Sequence, residues 1–518
     1  MGRSLGLASA VYAFSILLSR VIGLVREAVI GRTLGNGPEA DVYFTAFVLP
    51  DFLNYLLAGG ALSLVFIPIF QGYLVRSDEA GAWRAFSNIG NALLILVLGG
   101  TAALMWLAPS LSESIAPGLD ASRQAQLVGL IRLLLPAQIF HVMGGLLSAT
   151  LQARDQHTMP ALAPLVYTLG VIGGGVLLGP WLGPEGFAWG VLVGSVLGPF
   201  GLPLWGAWRA GLRWHGGLGL NGPDVRIYFQ RSLPVMLGFS VVVFDDFILR
   251  RQGSLLEAGT VSRLTYAKTL MRVPMGVFGL AAGMAAFPSM ARLFAEGRKP
   301  EGYALVVRAV RLTLVLALAA QAGLTAAGTE VATVVWGDRR FTADELAEVG
   351  RFTAWVCLGL WGWSVQGLIA RGFYALGDTL TPTVVGSVVT LLLFPLYVVL
   401  GETWGGDGLA VASSVAISAN VLALSWALRR RVALDTPPTA PGMVDALLRL
   451  APAVALGVGL ASVVAPYLPP ALPALVRGSL LGGLSTLTCL ACAALLGVGE
   501  VGEVARGLRH RLRRRRGA

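Results

Sequence analysis

Long apolar runs, broken by turn residues and nearly free of charge, dictate the solvent in which this chain folds. Of 518 residues, 13% are Asp, Glu, Lys or Arg and 55% are hydrophobic. A soluble globular chain carries about 25% charged residues, and disorder needs low hydrophobicity with high charge. The deficit runs the whole length, which excludes a soluble enzyme with a membrane tail. A bilayer crossing takes roughly 20 apolar residues as a helix. Apolar runs read against their breakers give fourteen helices, near 7–31, 41–71, 85–109, 125–153, 160–182, 186–209, 228–252, 259–293, 303–336, 343–376, 380–401, 407–429, 443–468 and 473–498. The expected fold class is an all-α polytopic membrane protein.

The net charge of +11 raises the question of nucleic acid, but the positives sit in short loops and one tail. With the amino terminus inside, the inner loops hold Arg76, Arg84, Arg154, Arg209, Arg213, Arg226, Arg292, Arg298, Lys299 and Arg429 to Arg431. The outer loops mix signs, with Glu113, Asp120, Arg123, Glu185, Glu257, Glu330, Asp338, Arg339, Arg340, Glu402 and Asp407. Inner-loop Lys/Arg excess sets orientation, so both termini are expected in the cytoplasm, as an even helix count also requires. The tail, with Arg506, Arg509, Arg511 and Arg513 to Arg516, suits anionic lipids rather than nucleic acid. The first apolar run passes straight into a segment with two arginines, unlike a cleavable signal. Cys357, Cys489 and Cys492 lie inside apolar runs and read as packing residues.

The chain repeats itself. LSATLQARDQHTMP (147–160) lies over IARGFYALGDTLTP (369–382) at an offset of 222, and GGALSLVFIP (59–68) over GLAAGMAAFP (279–288) at 220. Parallel repeats of six helices are a transporter pattern. The expected organisation is a six-helix lobe over 1–212, a Gly-rich inter-lobe loop at 213–226, and a second six-helix lobe over 227–432. Helices thirteen and fourteen occupy 433–500, and a basic tail 501–518.

Ionisable residues inside spans are costly and mark cavities or partners. The first helix carries Arg20, Arg26 and Glu27, read either as a structural Arg–Glu pair or as a cationic wall for an anionic group, since arginine donates bidentately to phosphate. In the second run Asp41 lies near the outer end. LPDFLN is expected to break the helix at Pro50, with Asp51 and Asn54 following and Gly59 and Gly60 allowing a hinge. The seventh helix has Asp245 and Asp246, which bind a cation or proton or pair with Arg250, four residues on. Lys268 and Arg272 share a face of the eighth. Arg20, Arg26, Lys268 and Arg272 are expected to face a cavity between the halves. His141 reads as hydrogen-bonded within the bundle. No HExxH, P-loop, GxSxG or paired catalytic carboxylates appear, so neither an enzyme nor a metal or other cofactor is expected.

SRVIGLVREAVIGRTLG (19–35) and ADVYFTAFVLPDFLNYLLAGGALSLVFIPIF (40–70), with SRLTYAKTLMRVPMGVFGLAAGMAAFPSM (262–290) and RGFYALGDTLTP (371–382), resemble the MurJ (MviN) family. These are lipid II flippases of the multidrug/oligosaccharidyl-lipid/polysaccharide exporter superfamily. The resemblance implies fourteen helices, two six-helix lobes around a cationic cavity open alternately to each side, and a lipid-tail groove from the last two. The substrate it implies is undecaprenyl-pyrophosphate-linked peptidoglycan precursor, moved from the inner to the outer leaflet of the bacterial cytoplasmic membrane. It places the family's functional residues on Arg20, Arg26 and Asp41, and adds Asp378 in the turn after the tenth helix. The chain departs from the family at three places. Asn54 and Thr269 stand where members carry arginines, and Leu249 where they carry an acid. Either Lys268, Arg272 or Arg250 supplies the missing charge or the substrate differs, and Na+, H+ or membrane-potential coupling stays open. The alternatives are a flippase for another polyprenyl-linked glycan and a cation-coupled drug exporter.

Overall fold

A computed structural model describes residues 22–58, 62–238, 240–432 and 442–502, and contacts divide the chain into Met1–Ser262 and Arg263–Ala518. The first unit holds α1 (22–34), α2 (Pro38–Thr45), α3 (Val48–Ala58), α4 (Ile67–Val75), α5 (Glu79–Ile115), α6 (Ala121–Leu134), α7 (Ala137–Ala153), α8 (Thr158–Leu177), α9 (Gly179–Leu182), α10 (Pro184–Ser195), α11 (Leu202–Arg209), α12 (Pro223–Gly238) and α13 (Ser240–Ser254), with π-helical turns at Leu62–Phe66 and Val196–Gly201. The second holds most of α14 (Thr260–Ala295), then α15 (Lys299–Trp336), α16 (Ala343–Cys357), α17 (Leu360–Ala375), α18 (Leu380–Val432), α19 (Met443–Val464) and α20 (Ala474–Leu495). No strand occurs among the described residues. Arg20, Gly59 and Gly60 lie outside them, as does the tail from residue 503.

Eight described helices are long and apolar enough to cross a bilayer, or nine if the bent pair α16 and α17 is one span. Two of the apolar runs, 380–401 and 407–429, fall on a single one of the eight, α18. α18 has 53 residues and breaks at Gly405 (φ 60, ψ −136). At 1.5 Å per residue it would measure about 80 Å unbroken, more than twice a hydrocarbon core. The second run is interrupted, and the interruption falls at residues 46–47, one turn before Pro50, which sits in the first turn of α3. A proline ring clashes with the carbonyl four residues earlier, here that of Ala46. The outer surfaces are apolar: Leu391, Leu392, Leu448 and Leu487 are exposed, as lipid-facing positions require.

The repeat seen in the sequence reappears as repeated backbone geometry. α4 ends with Ser77 at φ 58, Asp78 N donating to Tyr73 O and Ser77 N to Leu74 O. At an offset of 220, α14 ends with Gly297 at φ 75, Arg298 N donating to Leu293 O and Gly297 N to Phe294 O. α7 ends with Asp155 at φ 59 and a Gln156 N to Leu151 O bond; 222 residues on, α17 ends with Gly377 at φ 76 and an Asp378 N to Phe373 O bond. These are Schellman turns, which return orphan carbonyls to the backbone. Gly183 (φ 58, ψ −130) and Gly405 form a further matched pair, also 222 apart.

Within the first unit, α8 and α10 approach through glycines at fourfold spacing, Gly170 and Gly174 on one, Gly186, Gly190 and Gly194 on the other, with Gly198 in the π-turn that follows. A Cβ at Gly174 would lie 2.5 Å from Gly190 Cα, and one at Gly190 2.6 Å from the Gly170 carbonyl oxygen. Lipid offers no hydrophobic drive between helices, so close backbone packing supplies it. The 213–222 stretch is fastened to α5: His215 N donates to Ser87 Oγ at 2.9 Å, Asn91 Nδ2 to Gly217 O at 2.8 Å, and Trp214 lies edge-on to Phe86. α12 and α13, which follow it, pack against α3 and α5.

In the second unit, buried Arg311 of α15 joins Glu500, beyond α20, and Asp445 of α19. The Arg311 guanidinium holds the Glu500 carboxyl below its usual range, outweighing the cost of desolvation.

Two predictions follow from this packing. Gly174→Leu lowers stability in detergent by about 1–3 kcal/mol through forced separation of α8 and α10. Gly173→Leu, with open space at the same helix depth, does not; equal thermal midpoints for the two variants would refute the close approach. A carboxyl with a depressed folded pKa stabilises above its unfolded value, about 4.3 for Glu, and that gain is lost as pH falls through the folded value. Wild type is therefore more stable than Glu500→Gln at pH 7, and melting curves recorded down to pH 3 converge.

Candidate functional site

The polar chemistry of the first unit gathers around α3. Asp51, Asn54 and Tyr55 follow a 3–4 spacing that aligns them on one face of α3, and Phe47 lies just before it. They line a cavity of about 260 Å³ together with Leu134, Gln138, His141, Tyr167 and Val191. Asn54 Nδ2 donates to Gln138 Oε1 at 2.8 Å. His141 Nδ1 lies 2.9 Å from Ala137 O, bonded within its own helix, and its ring meets Tyr167 edge-on at 5.3 Å. Asp51 and Tyr55 also line a second space of about 10 Å³ with Val48, Asp246, Phe247 and Arg250, roughly the room for one water. Asp51 thus forms a wall common to both.

Arg26 extends this polar row. Its Nε and Nη2 donate to Glu27 Oε1 at 3.1 and 2.5 Å. A guanidinium has five N–H donors, and two of them go to Glu27. Tyr43 and Tyr167 feel the Arg26 charge, and Tyr167 also feels that of Asp51. The structure therefore brings together Arg26, Asn54 and Asp246 from the sequence reading, with Asp51, Tyr55, Gln138, His141 and Tyr167 between them. Asp245 is buried but about 100° round α13 from Asp246, and does not line the small cavity.

Asp41 sits elsewhere. Its carboxylate, buried, accepts from Gly259 N at 2.6 Å and Ser262 N at 2.7 Å, while Ser262 Oγ donates to Gly259 O. It acts as the capping side chain for the first turn of α14, delivered from α2. An acid there answers both the orphan N–H groups and the positive helix end.

In the second unit Lys268 is buried, with Nζ 5.5 Å from the Trp363 ring centroid, and Arg272 lies one turn along α14, half-buried. Asp378 accepts from Thr381 N and Thr381 Oγ1 at 3.0 and 2.8 Å, and meets Arg431 Nε at 3.2 Å. A carboxylate capping α18 and paired with a guanidinium is poorly placed to ligate sodium, and buried Leu249 has no donor. These residues do not fit a sodium ion. Among the described residues, no group of three or more His, Cys, Asp or Glu is arranged to hold a metal.

A family model described as "Lipid II flippase MurJ" matches residues 30–474. The chain belongs to the lipid II flippase MurJ family. The "Lipid II flippase MurJ" of Burkholderia cenocepacia is 29% identical over 427 residues, covering 80% of this chain and 82% of its own length. A probable lipid II flippase MurJ of Vibrio cholerae is 27% identical over 425 residues, covering 79% and 80%. Among solved structures, a lipid II flippase MurJ in an inward closed conformation aligns with a TM-score of 0.76 at 19% identity, over 93% of this chain and 98% of that one. An inward-facing multidrug resistance transporter of the MATE family, from the MOP superfamily, aligns at 0.62 and 14%, over 80% and 94%. At these identities the solved structures speak for the fold: a MurJ-like helical transporter fold.

Gln138, Tyr55 and Tyr167 were not singled out in the sequence, and His141 was taken as a bundle residue only. For Gln138, His141 and Tyr55 the signal was spacing, since 138 and 141 on α7 and 51, 54 and 55 on α3 keep a 3–4 rhythm, whereas Tyr167 carried none. Asp41→Ala removes two bonds to backbone N–H groups and lowers stability by about 1–2 kcal/mol. The amides of residues 259 and 262 then exchange hydrogen faster, and unchanged exchange there would contradict the cap.

Proposed function

We propose that this chain is a lipid II flippase: it carries undecaprenyl-pyrophosphate-linked peptidoglycan precursor from the inner to the outer leaflet, as a transporter and not as an enzyme. The observation that carries the reading is the polar row of Arg26, Asp51, Asn54, Gln138 and Tyr167 inside an otherwise apolar bundle, in a chain of the MurJ family. Buried donors in lipid are retained only at a cost, and a phosphate-bearing headgroup gives them partners. Arg20 and Arg26 take the pyrophosphate through planar forks. The Asn54–Gln138 amide pair meets hydroxyl and amide groups of the sugar and peptide. The polyprenyl tail stays in lipid.

The finer architecture belongs to the same reading: fourteen crossings, six-helix lobes over 1–212 and 227–432 joined by 213–226, and a lipid-tail groove from the helices of 433–500. The turns matched at offsets of 220 and 222 support two parallel repeats. Lys268 and Arg272 supply the cations of the second lobe, and Asp41 holds the outer end in place. Pro50, Gly59 and Gly60 bend the second helix. Both termini face the cytoplasm of a bacterial inner membrane, and the 501–518 tail meets anionic lipids, on the strength of the arginine distribution. Coupling runs through the membrane potential or a proton at Asp245 or Asp246. Moving one charge across 100 mV supplies about 2.3 kcal/mol, and the surroundings of Leu249 and Asp378 disfavour sodium. The Asn54–Gln138 pair also favours a second reading, a flippase for another polyprenyl-linked glycan, because neutral amides suit hydroxyl-rich groups.

The test is rescue of a bacterium depleted of its own lipid II flippase. Wild type restores growth, while Arg26→Ala lowers rescue at least tenfold at equal membrane abundance. Failure of the wild type sinks the lipid II assignment; full rescue by Arg26→Ala sinks the role of the arginine.

A further inference from the structure

The helices that close the two halves end in the same way. On α11 the guanidinium carbon of Arg209 lies 4.2 Å from the centroid of the Trp205 ring; on α18 that of Arg430 lies 4.0 Å from Trp426. Each pair spans one helical turn, i to i+4. The two pairs are 221 residues apart, between the 220 and 222 that relate the matched turns. Both arginines are exposed, and the indoles are 42% and 58% exposed. Among the described residues neither arginine is in an ion pair, whereas the adjacent Arg431 meets Asp378 and Arg154 meets Glu79.

We propose that Trp205–Arg209 and Trp426–Arg430 are two equivalent sites for the phosphate of an anionic phospholipid headgroup in the cytoplasmic leaflet. A guanidinium stacked on an indole keeps its N–H donors pointing outward in its own plane, where a phosphate accepts two at once. The ring beneath is amphipathic and seats at headgroup depth. A cation in the last turn of a helix also meets the negative helix end, which holds the arginine in place without neutralising its full charge. The lipid phosphate supplies that missing charge. Each site sits in the last turns of its helix, α11 ending at Arg209 and α18 at Val432. The sites depend on stacking and on the repeat, and use none of the residues of the polar row or the basic tail.

Native mass spectrometry on the purified full chain, titrated with phosphatidylglycerol, phosphatidylcholine or inorganic phosphate, tests this. Wild type retains two more phosphatidylglycerol molecules than phosphatidylcholine molecules at matched concentration. Arg209→Gln and Arg430→Gln each lose one, and the double variant loses both, with thermal midpoints unchanged because both side chains are exposed. Trp205→Ala loses the same single lipid, while Trp205→Phe keeps it. The proposal is overturned if the arginine variants retain the wild-type number, if phosphatidylcholine binds equally, or if inorganic phosphate displaces the lipid. The readout is lipid count, so it stands or falls independently of lipid II transport.

Discussion

Inside a bilayer no water satisfies a stray backbone donor or acceptor, and the rest of this structure depends on that constraint. Every regular element among the described residues is helical, because only a helix closes its hydrogen bonds within one segment. Where a helix stops, the chain recovers its orphan carbonyls at once. Schellman turns at Ser77, Asp155, Gly297 and Gly377 fold the last N–H groups back onto the helix. The breaks within helices have equally local causes: the proline that ends α2 early, and Gly405, whose positive φ turns one long apolar run into two.

The same dryness governs the charges. A buried ion left alone costs several kcal/mol, and many of the buried charges come with an answer: Arg26 for Glu27, Glu348 for Arg263, Glu500 for Arg311, and a helix start for Asp41. Structural pairs and functional charges therefore look alike as letters. What separates them is the set of neighbours that the fold brings alongside. Arg263 and Glu348 form a pair near helix ends, whereas Arg26 belongs to a row that reaches the space lined by Asp51, Asn54 and Tyr167.

Matched turns recur at offsets of 220 and 222, but the two units do not carry equal sites. The turns match in hydrogen-bond pattern, with Ser77 and Asp155 in the left-handed region where Gly297 and Gly377 stand in the later turns. The interior chemistry has diverged. The first unit carries amides, phenols and carboxylates around α3; the second buries Lys268 against Trp363. Moreover, α12 and α13, which the repeat assigns to the second half, pack against α3 and α5 of the first unit. That packing sets Asp246 and Arg250 beside Asp51.

The sequence by itself determined the solvent, the helical class, the duplication and the family, because each is written in local or periodic terms: charge scarcity, run length, repeat offset and motif. It also singled out Arg26 and Asp246 by their cost in lipid, and Asn54 by its place after Pro50 and its departure from the family. It could not say what those residues face. Asp41 reads as a site residue, and only the structure shows its carboxylate on the first turn of α14, 218 residues away. Asp378, set apart in the sequence by family likeness, caps α18 and meets Arg431. Gln138, Tyr55 and Tyr167 joined the polar row only once α3, α7 and α8 were packed together. Side-chain partners across helices depend on rotation and crossing, which composition and spacing leave undetermined. The tertiary structure decided which rare polar residues share a cavity and which merely hold a helix end.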